Sequence, residues 1–158
     1  MALSFSTGLV NAMLSPSAGL SFGEALAGCI IDIYPNSVAM PAKANDSVAA
    51  GATKLGTVTK GGVSAVGDPS AYSMHFGEPT VTGTIDKSSS EVWQFTAGAS
   101  GIAGWFRLRL ATDTGETSNT AFRIDGTIGV NGDAVIITTD IVANNIYTFS
   151  RFRLTWQF

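Results

Sequence analysis

His75 and Cys29 are the side chains of this 158-residue sequence best suited to catalysis or metal binding, and each residue type occurs once. A hydrolase triad needs a nucleophile beside its histidine, and no Gly-x-Ser-x-Gly nucleophile turn is present. One cysteine and one histidine do not make a zinc site without carboxylates, and no Asp-x-Asp calcium loop occurs. We therefore expect a structural or surface His75, a buried Cys29, no metal and no cofactor.

Three acidic side chains raise the question of a glycosidase, which needs two carboxylates held across a cleft. Asp113 and Glu116 lie in the polar segment 112–119, and Glu91 precedes an apolar pair. Their spacing does not place two of them across a cleft, so we expect solvated loop charges. A glycine run over 126–132 leads into a strand pattern, whereas a dinucleotide-binding fingerprint leads into a helix. The chain is therefore expected not to be an enzyme.

The segment AGWFRLRL, residues 103–110, carries a different signal, because large apolar residues alternate with aromatic and cationic ones. A period of two predicts a strand with one face on a core. The residues expected to face the core are Phe106, Leu108 and Leu110. The residues expected to face outward are Trp105, Arg107 and Arg109. Trp and Arg are enriched where proteins contact proteins, so this outer face is a candidate interface.

Other arginines extend this candidate interface, since all five arginines lie in the last third of the chain. Arg123 shares its strand face with Asp125, and Arg151 and Arg153 alternate with apolar residues of the last strand. If these strands are neighbours, their aromatic and guanidinium groups form one patch. The alternative is an ordinary outer sheet face with a few cation–π pairs.

Helix and strand signals position these residues. Ser6 or Thr7 can cap a first helix, in which Leu9, Val10, Met13 and Leu14 recur at helical spacing. A second helical turn is expected over 22–27, so that residues 1–28 form an N-terminal helical arm. A long loop is expected over 35–53. Strands are expected over 29–34, 54–60, 71–76 and two segments within 80–96.

Four strands with clearer alternation follow, over 103–111, 121–130, 133–141 and 145–157. Asn131-Gly132 predicts a hairpin between the second and third of them. Many short strands separated by regular turn signals indicate a mainly β protein. We expect a single domain over 1–158, built as an antiparallel β-sandwich or jelly-roll-like fold with a short N-terminal helix.

The composition is apolar and sparsely charged, with 45% hydrophobic residues, 13% charged residues and a net charge of −3. The acidic balance argues against general binding to nucleic acid or to an anionic membrane surface. The N-terminus lacks a basic region and a long apolar run, so we expect neither a signal peptide nor a membrane span. Such a chain would be adhesive if much of its surface stayed exposed, which favours partner proteins.

Four stretches taken together resemble a group of small proteins encoded among the virion genes of tailed bacteriophages. They are FSTGLVNAML at 5–14, FGEALA running into IDIY at 22–34, AGWFRL at 103–108 and FRIDGTIG at 122–129. The resemblance implies a virion component and brings no catalytic residue with it. The chain departs from the group over 35–60, where a threonine-leucine run becomes GATKLGTVTK.

The leading hypothesis is a capsid decoration (cement) protein of a tailed phage, which binds the major capsid protein and self-associates, as a homotrimer. Leu9, Val10 and Met13 would dock the N-terminal arm on a neighbouring subunit, or would pack that helix on its own domain. One alternative is a head–tail connector, collar or tail component of the same virion. Another is a carbohydrate-binding or receptor-binding module, in which exposed Trp93 and Trp105 would stack on sugar rings.

Overall fold

The described part of the chain contains three short helices, α1 (Thr7–Leu14), α2 (Phe22–Ala25) and α3 (Pro69–Tyr72). The structure is a computed structural model that describes residues 3–17, 19–80, 83–129 and 131–155. The Ser6 hydroxyl accepts a hydrogen bond from the Leu9 N–H and caps α1, as the sequence predicts. Ser21 and Glu24 form a reciprocal capping box at α2. No helix in the described ranges is long and apolar enough to cross a bilayer.

Strands make up most of the regular structure, and the ladders that pair them are antiparallel. One isolated parallel bridge joins Ile128 to Ala134. The strands are β1 (Ser4–Phe5), β2 (Cys29–Pro35), β3 (Gly56–Lys60), β4 (Thr84–Asp86), β5 (Trp93–Thr96), β6 (Gly101–Leu110), β7 (Arg123–Thr127), β8 (Ala134–Ile136), β9 (Asp140–Ile141) and β10 (Ile146–Thr155). They join in the order β1-β7-β6-β2-β3-β5-β10-β4, with β8 on β10 and β9 on β6. The mainly β, antiparallel class with a short N-terminal helix is therefore confirmed.

The sheet is curled, and contacts between strands that are far apart in the sheet order show this. Phe106 of β6 and Phe152 of β10 lie four places apart in the sheet, yet their ring centroids are 5.1 Å apart with edge-on geometry. Trp93 of β5 packs on the same Phe152 ring at 5.5 Å. The three aromatic side chains are buried. The core therefore fills the concave side of the curled sheet.

The strands β2, β6 and β7 have buried side chains on both faces. On the concave face the register aligns Ile31, Leu108 and Ile124 across the three strands, and all are buried. On the opposite face the register aligns Asp32, Arg107 and Asp125, and these are buried as well. A charged row beneath a covering layer requires pairing within the chain, because an isolated buried charge is very costly.

One expected strand is wrong. The segment 71–76 was expected to be extended, but its beginning belongs to α3 and its end contributes one isolated bridge, Phe76 to Lys87. Asp68 caps α3 by accepting a hydrogen bond from the Ser70 N–H, and Pro69 occupies the first helical turn, where its missing N–H costs nothing. These local start signals outweigh the β propensity of the aromatic residues that follow.

The expected hairpin at Asn131-Gly132 is also wrong. β7 ends at Thr127, and β8 pairs with β10 instead of folding back on β7. The Asp133 carboxylate accepts hydrogen bonds from both the N–H and the hydroxyl of Thr127, at 3.0 Å each. This side-chain contact turns the chain where an antiparallel ladder would have continued. The expected strand 133–141 is accordingly split into β8 and β9.

The alternation expected for the last strand breaks at a bulge. The register of β10 against β8 shifts between Phe149 and Arg151, so Phe149 and Phe152 are both buried. A bulge adds one residue to one strand and changes which side chains share a face. Period-two alternation through Phe152 predicts Ile146, Trp156 and Phe158 on the same core face. Ile146 is instead exposed, and Trp156 and Phe158 lie outside the described residues.

Candidate functional site

The outer face of β2, β6 and β7, which we call the arginine face, is not at the surface of the folded chain. Trp105 and Arg107 are 4% and 1% exposed, and Arg123 is fully buried. Arg109 is half-buried. This corrects the expectation that Trp105, Arg107, Arg109 and Arg123 present an open patch. The face is covered by two loops of the same chain, which satisfy its charges.

Arg107 is held by a carboxylate of the neighbouring strand. Its Nε and Nη2 donate to Asp125 Oδ1 and Oδ2 at 2.8 and 2.7 Å, a fork-on-fork geometry that only a guanidinium supplies. Its Nη1 donates to the Asp46 carbonyl of the covering loop at 2.8 Å. Burial raises the pKa of the Asp125 carboxyl, and the hydrogen bonds from Arg107 oppose this shift without cancelling it. The pair therefore ties β6, β7 and the loop together.

Arg123 makes the second pair, with a carboxylate of the loop between β6 and β7. Its Nε and Nη2 lie 2.6 and 2.7 Å from the two oxygens of Asp113, and Nη2 also donates to the Glu116 carbonyl. Burial acts to raise the pKa of Asp113, but hydrogen bonds from Arg123 and from the Gly115 N–H outweigh it and lower that pKa. Asp113 is therefore a structural anion, which corrects the expectation of a solvated loop charge.

Arg109 and Lys54 both pair with the carboxylate of Asp32. The Arg109 Nε lies 2.7 Å from Asp32 Oδ2, while Lys54 Nζ lies 2.8 Å from Asp32 Oδ1. Thr57 also donates its hydroxyl to Asp32 Oδ1 at 2.8 Å. An acid inside the apolar run CIIDIY was the signal in the sequence for such a pairing, since a buried strand carries a charge only where a partner meets it.

The covering layer consists of the segment between β2 and β3 and the loop between β6 and β7. The Asn45 side chain joins the two, by accepting from the Thr7 N–H and donating to the Asn119 side chain. Trp105 donates its indole N–H to the Val38 carbonyl at 2.7 Å and stacks on Tyr34 with ring centroids 4.4 Å apart. Side chains that suit an interface between proteins thus form an interface between parts of one chain.

The structure does not bring the remaining arginines to this face. Arg151 and Arg153 lie on β10, which β2, β3 and β5 separate from β6 in the sheet order, and both are exposed. Arg153 pairs with Asp86 of β4 through two hydrogen bonds of 2.7 Å. Two separate arginine groups therefore replace the single patch that the sequence suggested.

The N-terminal residues expected to dock on a neighbouring subunit differ in how deeply they are buried. Leu9 is fully buried in the chain's own core, whereas Met13 is half-buried against it. Gly8 lets α1 approach the loop before β7, because a Cβ there would overlap the Thr120 carbonyl. Leu9 therefore has no surface to offer a neighbouring subunit, which corrects that part of the expectation.

The chemically reactive side chains have structural partners. Cys29 is buried as expected, and desolvation raises the pKa of its thiol to about 12. His75 lies at the surface with its Nδ1 2.6 Å from Glu91 Oε1. Glu91 also accepts the indole N–H of buried Trp93 at 2.9 Å. Within the described ranges, no group of three or more His, Cys, Asp or Glu side chains is placed to hold a metal ion.

The sequence did not point to a group of exposed apolar side chains, which we call the apolar edge: Ile102, Ile137, Val142 and Ile146. Their exposed fractions run from 50% to 88%. All four lie in or beside the segment 137–146, which the β9–β6 pairing holds against the start of β6. Period-two alternation places Ile137 on one face with Val135 and Ile141, and Ile136 on the opposite face. In the structure Ile136 and Ile141 are buried, whereas Ile137 is exposed.

Comparison of the chain with protein-family models, with curated proteins and with solved structures finds no match. The candidate site is therefore defined by geometry: a covered arginine face that rigidifies the chain and an apolar edge that stays open.

Proposed function

We propose that this chain is a structural protein of a tailed-phage virion, a capsid decoration protein that binds the major capsid protein and stabilises the head. The apolar edge is the observation that carries the proposal. Contiguous exposed apolar surface marks sites of protein contact in soluble chains. The combination of motifs that resembles phage virion proteins supplies the kind of partner.

The local register places two side chains of the apolar edge, Ile102 and Val142, on one face. Ile102 pairs with Asp140 across β6 and β9, and paired residues lie on the same face of a sheet. Val142 is two residues beyond Asp140, so its side chain returns to that face. The Tyr147 hydroxyl accepts the Val142 N–H at 2.7 Å and fixes this segment. A surface that is ordered before binding loses less entropy when it docks.

A sandwich-like closure of the curled sheet is part of the same proposal. The contact between Phe106 and Phe152 brings strands four places apart in the sheet order face to face, as the two layers of a sandwich would be. We expect three copies to associate around their apolar edges and to sit on the capsid lattice. A protein that binds only the assembled shell stabilises it by mass action, and repeated contacts add through multivalency.

The first test is the copy number of the chain per purified virion, measured by quantitative mass spectrometry against the major capsid protein. A ratio near one to one supports a coat on the lattice. A few copies per particle would assign the chain to the neck or tail, and absence from the particle would overturn the structural proposal.

Buried Trp93 and Trp105 offer no stacking platform, so the sugar-binding alternative has no support from either side chain.

The second test asks whether the apolar edge makes the contact. Ile137→Asp should abolish trimer formation and binding to purified shells, because it places a charge in an apolar contact. Val92→Asp is the matched control, since Val92 is 53% exposed just before β5 and lies outside the apolar edge. Equal binding by both variants, with sedimentation showing unchanged assembly, would exclude the apolar edge as the interface.

A further inference from the structure

A polar cleft of about 490 Å³ lies on the outer face of β2 and β3, at the edge of the covering layer. We call it the cation cleft. Its lining includes the cations Lys54 and Arg109, the hydroxyls of Thr57 and Thr59, and the loop residues 62–66. No carboxylate belongs to the described residues that line it. The nearest acid, Asp32, lies beneath the two cations with its side chain 3% exposed.

The charges in the cation cleft do not balance. Asp32 carries one negative charge and contacts both Lys54 and Arg109, one on each carboxylate oxygen. The next acid, Asp113, is engaged by Arg123 through both of its oxygens. One positive charge therefore remains uncompensated between two side-by-side cations, and a concave wall of low dielectric strengthens its field.

Donors in the cation cleft remain available to a ligand. Among the described residues, Arg109 uses Nε and Nη1 for hydrogen bonds within the chain, while its Nη2 has no acceptor there. Lys54 Nζ makes one hydrogen bond, to Asp32, and so has two further N–H groups. The backbone N–H groups of residues 63–66 also find no acceptor in the part of the chain that the structure describes.

We propose that the cation cleft binds a carboxylate-bearing anion, either a free small polycarboxylate or an acidic side chain presented by a partner. The Arg109 guanidinium and Lys54 already hold one carboxylate between them, so their spacing suits a second one on the solvent side. Ile30, Val63 and Val66 add apolar wall, which fits the hydrocarbon of such a ligand better than an inorganic phosphate. The cation cleft shares no lining residue with the apolar edge, and the inference does not depend on the proposed function.

The test uses the isolated full chain labelled with ¹⁵N and titrated with citrate, with an acetyl-Glu-Glu-amide peptide and with inorganic phosphate at constant ionic strength. Amide shifts should move at residues 62–66 with citrate or peptide, more than with phosphate. Lys54→Gln should weaken that binding on the order of tenfold, because it removes the uncompensated charge. Lys43→Gln removes the same charge from an exposed lysine outside the cleft and should leave binding unchanged.

The two sources give different results. Binding of citrate without binding of the peptide indicates a free small anion. Tighter binding of the peptide than of citrate indicates an acidic segment of a partner. Val63→Asp puts a competing carboxylate on the cleft wall while keeping both cations, and it should abolish binding even if Lys54→Gln folds poorly. Absence of shifts at 62–66 with every probe, or equal weakening in Lys54→Gln and Lys43→Gln, would overturn the proposal.

Discussion

Arg107 and Asp125 form a fully buried ion pair with two hydrogen bonds, of 2.8 Å from Nε to Oδ1 and 2.7 Å from Nη2 to Oδ2. Their side chains are 1% and 0% exposed. Breaking such a pair from one side leaves an uncompensated charge in the interior, which is far more costly than never having built the pair. This relationship makes Arg107 part of the folded interior, so that a change at Arg107 should cost stability.

Arg107→Met should lower the free energy of unfolding by about 3–5 kcal/mol, because Asp125 loses its cation and stays buried. Urea denaturation followed by circular dichroism measures the loss. Arg153→Met is the matched control, since its pair with Asp86 is 48% and 37% exposed, and an exposed, solvent-screened pair contributes little stability. The double variant Arg107→Met with Asp125→Leu should recover most of the loss. Equal effects of the two single arginine changes would contradict the buried pair.

Acid should destabilise the fold partly through Asp113, whose pKa is lowered by its hydrogen bonds in the folded state. Its stabilising contribution is fully present above the unfolded pKa of about 3.9 and is lost as the pH falls through the lower, folded pKa. Asp125 acts in the opposite direction, because burial raises its folded pKa. Urea midpoints measured between neutral and acidic pH should fall less steeply below that value in Asp113→Asn than in the unchanged chain. Parallel curves would contradict the role of Asp113.

Two helical glycines should respond oppositely to alanine. In Gly8→Ala the new Cβ would overlap the Thr120 carbonyl and approach Ala121 O at 2.7 Å, so α1 must move. We expect a loss of about 1–3 kcal/mol, as for overpacking elsewhere. Gly23 in α2 has nothing within 4 Å of its Cβ position, and Gly23→Ala should be neutral or stabilising by up to about 1 kcal/mol. Thermal melts of both variants distinguish α1 packed on its own domain from a free arm.

Glu91→Ala should destabilise the chain through a tryptophan. The Glu91 carboxylate accepts the indole N–H of fully buried Trp93 at 2.9 Å. An unpaired buried donor costs about 1–3 kcal/mol. Glu91→Gln keeps an acceptor oxygen and should retain most of the stability, while near-ultraviolet circular dichroism reports any change around the indole. Identical losses in both variants would show that the charge, and not the acceptor, stabilises this corner.

Local signals in the sequence were sufficient for much of the fold. Ser6 precedes an amphipathic segment and caps α1, and CIIDIY predicts a strand because four of its six residues are β-branched or aromatic. The alternation of Phe106 and Leu108 correctly assigned them to the core. These features depend on neighbours along the chain, which a sequence displays directly.

Local signals could not predict which strand pairs with the segment after Asn131-Gly132. They also could not predict which side chains of β10 face the core. Whether β8 pairs with β7 or with β10 depends on competition between distant strands, and the Asp133 contacts to Thr127 favour the second. The bulge after Phe149 likewise depends on its partner strand. A turn signal indicates that the chain reverses direction, but it does not identify the strand with which the following segment pairs.

The sequence by itself determined that this is a mainly β chain, sparsely charged, with a Trp-Arg face on the strand at 103–110. Only the tertiary structure decided where that face lies. Period-two alternation shows that the two faces of a strand differ. A face covered by another part of the same chain and a face covered by a partner protein need the same types of side chain. Here Asp125 meets Arg107 and the Asp46 carbonyl closes over it, so the face became interior. The apolar edge and the cation cleft stay open, and long-range packing assembles each of them from residues that are far apart in the sequence.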